Sequence, residues 1–252
     1  MLFALWSPKG GSGTSVVCAA LGSFLSRRRP VLLVDLAGDL PAIAGLAPDR
    51  GHREPSRRPF PSLATWLAAG PPAPTEALDA LVHPLVHGLG LLALGSAVDG
   101  TPVAGLAAES GAALAAALAE GPAVVADAGR IEHPVQRALV EVADASVVVV
   151  RGCYLALRRA VDDDLTARAL GVVVVEEPGR SLSPADVADV LGCPVLATIP
   201  LDPSVARAVD AGLLIHRAPP LLSGPLRSLV GTLDGACRRS GGAEGEIPEW
   251  AA

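Results

Sequence analysis

The stretch Lys9-Gly10-Gly11-Ser12-Gly13-Thr14-Ser15 is the part of this chain best equipped for chemistry. Its glycines let the backbone turn sharply and approach a ligand without Cβ atoms in the way. Lys9 brings a cation, and Ser15 stands where a hydroxyl can ligate Mg²⁺. Loop amides, a cation and a hydroxyl are the parts of a phosphate cradle, provided a strand delivers the loop and a helix leaves it. A standard phosphate loop has Gly-Lys-Ser/Thr where this chain has Gly13-Thr14-Ser15. The lysine that reaches the β- and γ-phosphates is therefore missing. Lys9 is the only lysine in the sequence, the other nineteen basic residues being arginines.

The flanking sequence supplies the strand and the helix. Leu2–Trp6 reads as a buried strand, Ser15 to about Arg28 as a helix, and Val31–Asp35, after Pro30, as a second buried strand. This is a βαβ opening. Further strands are predicted at Leu89–Leu94, Ala123–Asp127, Ser146–Val150, Val172–Val175 and Pro194–Pro200. Helices are predicted at Ser62–Ala69, Thr75–Leu81, Gly105–Leu118, Val135–Val142, Leu155–Leu170, Ser183–Leu191, Ser204–Ala211 and Pro219–Arg239. The alternation predicts an α/β fold: an open, mostly parallel twisted sheet with helices on both faces and ligands at the carboxyl ends of the strands. Residues 1–239 form one expected domain. Within it the polar, Pro-rich stretch 49–61 reads as an exposed loop, and 240–252 reads as a flexible tail that carries Trp250.

Composition narrows the function. Half of the 252 residues are apolar but only 3% are aromatic, so the core is built from Ala, Val and Leu. The net charge of -6 argues against broad DNA binding through a basic face. Cys18, Cys153, Cys193 and Cys237 have neither zinc nor disulfide-framework spacing, which suits reduced thiols in the cytoplasm. His83, His87 and His133 show no metal spacing. Arg27-Arg28-Arg29 ends a helix, where cations suit the helix dipole. The uncharged stretch 80–98 is broken by His83, Pro84, His87, Gly88 and Gly90, so it does not read as a membrane span. The start of the chain has no basic segment ahead of an apolar one and does not read as a signal peptide.

KGGSGTS resembles the deviant Walker A loop of the ParA/MinD superfamily. Lys9 matches the signature lysine, which in active members reaches across a dimer to the partner's nucleotide. Gly10, Gly11, Gly13 and Ser15 also match, and Thr14 does not. VLLVDLAGDLP resembles the switch I strand: Asp35 matches its first aspartate, and Ala37 stands where the family has a water-orienting one. Asp39 falls two residues late. AVVADAG resembles the Walker B segment, with Asp127 as the Mg²⁺-linked carboxylate and Gly129 near the γ-phosphate. Glu176 and Glu177 stand where many members carry an adenine-reading Asn. GCPVLATIPLDPSVARAVDAG resembles the family's C-terminal segment, and the resemblance spans roughly residues 1–235.

The resemblance implies an ATP- or ADP-binding P-loop protein with Mg²⁺. Lys9 through Ser15 would hold the phosphates; Ser15, Asp35 and Asp127 would hold the metal; Lys9, Asp35, Asp39 and Asp127 would be the catalytic candidates. The departures at Thr14, Ala37 and Glu176–Glu177 point to weak or absent hydrolysis. The expected function is a localisation or assembly factor like the TadZ/CpaE branch, with a working ParA/MinD-type ATPase switch as the alternative. A metal-delivery or amidotransferase relative lacks support, because ligand cysteines and a triad are missing. The implied partners are a second copy of the chain and a protein of a secretion, pilus or positioning system. The acidic ending GGAEGEIPEWAA lacks the basic amphipathic helix of membrane-anchored members.

Overall fold

The computed structural model describes residues 1–46, 62–71, 73–95, 105–218, 220–239 and Trp250. The expected exposed loop at 49–61 and the tail at 240–249 and 251–252 lie outside these residues. β1 (Leu2–Ser7) forms the centre of an eight-stranded sheet. β5 (Ala123–Arg130) and β2 (Val31–Asp35) follow on one side, then β4 (Leu89–Leu92) and β3 (Val82–Val86). β6 (Ala145–Arg151), β7 (Gly171–Glu176) and β8 (Val195–Pro200) follow on the other. All neighbours are parallel except β3 and β4. The α/β architecture expected from the sequence is the one observed. Strands such as LFALWS and SVVVV are apolar on nearly every successive residue because helices cover both faces of the sheet.

On one face, α1 (Thr14–Leu25) and α11 (Ser223–Arg239) pack on the sheet through Val17, Leu21, Leu25, Leu226, Leu229 and Leu233. Gly22 sets how closely α1 approaches, since a Cβ there would lie 2.6 Å from Leu33 Cδ2. α3 (Leu63–Ala69), α5 (Ala108–Leu118) and α6 (Pro134–Val142) cover part of the other face. α7 (Tyr154–Val161) and α9 (Pro184–Leu191) complete it over β6 and β7. Apolar area leaves water on both faces, which is the main favourable term in holding three layers together.

Four elements differ from expectation. β3 is a strand although it contains Pro84, because it sits at the sheet edge, where a residue without an N–H is tolerated. The helix expected over 155–170 is two helices. α7 ends at the run Asp162-Asp163-Asp164, and Asp163 caps α8 (Asp164–Arg168) by accepting the Leu165 N–H at 3.1 Å. A single turn, α2 (Leu40–Ile43), follows the β2 loop. Trp250 is half-buried rather than free: its ring lies where a Cβ on Gly90 would be 2.9 Å away, and it packs beside Val82. The Arg cluster after α1 is partly engaged, with Arg29 paired to Asp234 at 2.6 Å and Arg28 over the Phe24 ring.

Candidate functional site

The loop between β1 and α1 takes its shape from its own glycines and hydroxyls. Gly11 has φ 76° and Gly13 φ 90°, a backbone region other residues avoid. The Ser7 and Ser12 hydroxyls and the Lys9 carbonyl form a closed triangle with sides of 2.6, 2.8 and 2.7 Å. The Lys9 N–H donates back to Ser7 Oγ at 3.2 Å. The Ser12 side chain is buried and helps to shape the loop, and Ser12 also lines the cavity above it. Gly13 caps α1 with no side-chain hydrogen bond, so the first N–H groups of the helix remain available to an anion.

Above this loop lies a cavity of about 800 Å³. Lys9 through Ser15 line it, together with Ala37 and Asp39 after β2, Gly129 and Arg130 at the end of β5, and Arg151 at the end of β6. Strand order and parallel direction bring these segments together, because each leaves the carboxyl end of a central strand. Ser15 is half-buried, while Thr14, in the missing lysine's place, is buried.

Asp35 and Asp127 face each other across β2 and β5 in register. Both side chains are fully buried, below the cavity wall rather than on it. Asp35 Oδ1 accepts the N–H groups of Ala37 at 3.0 Å and Gly38 at 2.7 Å. Asp127 Oδ1 accepts the Gly129 N–H at 3.0 Å. That last bond depends on a bulge in β5, where Leu5 pairs with Asp127 and Trp6 with Gly129. The Oδ2 atoms of both aspartates are buried without a hydrogen-bond partner. Burial pushes the Asp35 carboxyl up to about 6, against the pull of the Gly38 and Ala37 amides, with the Asp39 charge raising it further. Burial likewise pushes Asp127 up to about 7; the nearby Ser15 hydroxyl draws it down, short of a well-formed bond to Oδ2, and the Asp35 charge raises it.

Two orphaned carboxylate oxygens beside a serine hydroxyl fit a hard divalent cation. Among the described residues no cluster of three His, Cys, Asp or Glu side chains could hold a metal unaided. Mg²⁺ here would need phosphate oxygens as well, as is usual for that ion. Asp39 is exposed, lines the cavity, and makes no side-chain cap on α2. Glu176 and Glu177 do not line the cavity, and Glu177 pairs with Arg180 at 2.8 Å.

Two residues escaped the sequence reading. Gln136 is buried; its Nε2 donates to the Leu36 carbonyl at 3.1 Å, while Oε1 accepts the N–H groups of Glu132 at 2.9 Å and His133 at 3.0 Å. It ties the segment after β5 to the segment after β2. Arg151 ends the aliphatic run ASVVVVR, and a cation at a strand's carboxyl end was its available signal.

Residues 3–215 match the CobQ/CobB/MinD/ParA nucleotide binding domain. The chain is 30% identical over 235 residues to an uncharacterised protein of Mycobacterium tuberculosis, Rv3660c in strain ATCC 25618 / H37Rv and MT3760 in strain CDC 1551 / Oshkosh. The match covers 89% of this chain and 61% of that protein, so the chain spans only part of its relative. Among solved structures, it superposes on a ParA family ATPase from Chlorobium tepidum TLS with a TM-score of 0.70 at 21% identity, covering 92% of this chain and 97% of that one. It also superposes on the septum site-determining protein MinD from Pyrococcus horikoshii OT3, complexed with Mg-ADP, with a TM-score of 0.72 at 18% identity, covering 94% and 96%. The glycine loop, the paired aspartates and the strand order therefore sit in a chain that belongs to the CobQ/CobB/MinD/ParA nucleotide-binding domain family.

Proposed function

We propose that this chain binds a nucleotide with Mg²⁺ at the loop cavity, hydrolyses ATP weakly or not at all, and works as a localisation or assembly factor of the TadZ/CpaE kind. The observation that carries the reading is a shaped phosphate loop that lacks groups for the γ-phosphate. Gly11 and Gly13 hold their left-handed turns, and the α1 amides are uncapped. Yet Thr14 offers no charge, and Ala37, exposed on the cavity wall, offers nothing to orient a water.

When bound, Mg-ATP supplies the phosphoanhydride and a divalent charge. The loop amides and Lys9 would receive the phosphates, and the Ser15 hydroxyl would ligate the metal. The orphaned oxygens of Asp127 and Asp35 would orient the metal's shell. Losing one preorganised group that stabilises transition-state charge typically costs about 3–4 kcal/mol, or 10²–10³-fold in rate. Two such groups are absent here.

A second copy of the chain is the expected first partner, through the P-loop face, with a positioning or secretion protein as the second. Among the described residues no helix is long and apolar enough to cross a membrane. The alternative, an active ParA/MinD-type switch, has one observation in its favour: Asp39 lines the cavity and its charge reaches both buried aspartates.

Steady-state phosphate release with Mg-ATP, run beside a thermal-shift assay with Mg-ADP, tests the reading. The expected result is stabilisation by Mg-ADP with release at background. Robust release that disappears in Asp127→Ala would establish the switch instead. For the localisation role, a fluorescent fusion in the native host should form a discrete focus that Asp127→Ala leaves in place, and a uniformly dispersed signal would count against it.

A further inference from the structure

The loss of the phosphate-loop lysine leaves a polyphosphate site short of one cation. Three arginine or lysine side chains line it: Lys9, Arg130 and Arg151. Arg130 is exposed and already paired with Glu132 at 2.9 Å. Lys9 stands at the head of the loop, as in the family pattern. Arg151 is different. It is half-buried, it makes no salt bridge among the described residues, and its Nε is buried without a hydrogen-bond partner. A buried N–H on a guanidinium is costly unless something supplies an acceptor, and none of the described residues does.

The topology brings Arg151 to the same cavity wall as the start of α1. β6 pairs directly with β1, the strand that feeds the loop, at a spacing of roughly 5 Å. In β7, the residue opposite Arg151 is Val175. A Cβ on Gly13 would lie 3.7 Å from Val175 Cγ2, so the residue before Thr14 packs against Arg151's cross-strand partner. The Arg151 backbone is held by the Cys153 N–H, which donates to its carbonyl at 2.6 Å. A planar guanidinium presents a fork of donors that matches phosphate oxygens two at a time.

We propose that Arg151 is a second phosphate-binding cation of this site, beside Lys9, and supplies from β6 the charge that Thr14 does not supply from the loop. The inference rests on reading the cavity as a nucleotide site. It adds that the site has been rewired rather than simply stripped.

Calorimetric titration with Mg-ADP and with inorganic pyrophosphate tests it, using wild type, Arg151→Met, Thr14→Lys and the double variant. Arg151→Met keeps the apolar stem and removes the charge; thermal melts confirm that each variant folds, and Arg151→Gln, which also removes the charge, replaces Arg151→Met if it does not. Arg151→Met should weaken both ligands by about tenfold to a hundredfold, the usual worth of a hydrogen bond to a charged group. Thr14→Lys should restore most of that loss in the double variant. Unchanged affinities in Arg151→Met, with wild type binding, would overturn the role of Arg151 and leave the nucleotide site standing. Weaker Mg-ADP with unchanged pyrophosphate would overturn it too, by moving Arg151 to the base. Binding in Thr14→Lys but not in wild type would show that nothing replaces the lysine. Failure of both to bind would remove the nucleotide reading itself.

Discussion

Replacing Asp127 with Asn changes one oxygen for an amide, yet its effect on stability should reverse sign with pH. In the folded chain Asp127 is fully buried and its carboxyl is pushed from 3.8 up to about 7. A group whose folded value is raised holds its proton longer in the native state than in the unfolded one. Its stabilising contribution is complete below about pH 4 and is lost as pH rises through about 7. At 1.36 kcal/mol per unit, the loss between those limits is about 4 kcal/mol. Asp35, raised to about 6, adds a similar loss over a lower window.

Asn carries no charge to desolvate, but its amide brings two N–H donors to the place where the protonated carboxyl brings one O–H, and the extra buried donor costs about 1–3 kcal/mol at any pH. Without metal, Asp127→Asn should therefore destabilise the chain near pH 4 and stabilise it near pH 8. The difference between the two effects should be about 4 kcal/mol, or on the order of 10 °C in Tm for a domain of this size. Scanning calorimetry from pH 4 to 8.5 in chelator, on wild type and variant, reads it directly. Parallel Tm profiles for the two proteins would refute the claim that a buried carboxylate ionises at a cost in this site.

Three other outcomes follow from packing and charge. A Cβ on Gly111 of α5 would lie 2.3 Å from the Val135 carbonyl oxygen on α6, and a backbone atom cannot yield. Gly111→Ala should cost about 3 kcal/mol or more by chemical denaturation, and a loss under 1 kcal/mol would show that the helices separate freely. Trp250→Ala should lower stability by about 1–2 kcal/mol, less than for a fully buried Trp, and no shift would mean its docking beside Gly90 carries no energy. Lys9 is half-buried at the loop and makes no ion pair among the described residues, so it can act on a second copy. Light scattering with Mg-ATP should find a dimer for wild type and a monomer for Lys9→Ala; a dimer unaffected by the substitution places the interface elsewhere.

Much of the fold was legible because parallel, doubly covered strands are aliphatic on successive residues, as in the VLLV, AVVA and VVVV runs of β2, β5 and β6. The loop was legible because glycines beside a strand end have few other uses. β3 was not, since Pro84 reads as a breaker and only an edge position excuses it. The division of α7 from α8 lay in the aspartate run at 162–164, whose capping role was overlooked. In the site, Asp35 and Asp127 could be found from the strand ends. Their burial below the wall could not, because it depends on the β5 bulge and the register between β2 and β5. Gln136 and Arg151 are single polar residues in otherwise ordinary segments, and only the packing of distant strand ends brings them to the cavity.

The site should hold nucleotide without turning it over. The most direct measurement is a single-turnover trap: excess protein is mixed with radiolabelled ATP and Mg²⁺, bound nucleotide is separated from free over hours, then denatured and resolved. The protein-bound label should be recovered as intact ATP throughout. Bound label that converts to ADP and phosphate within minutes, and fails to convert in Asp127→Ala, would contradict it.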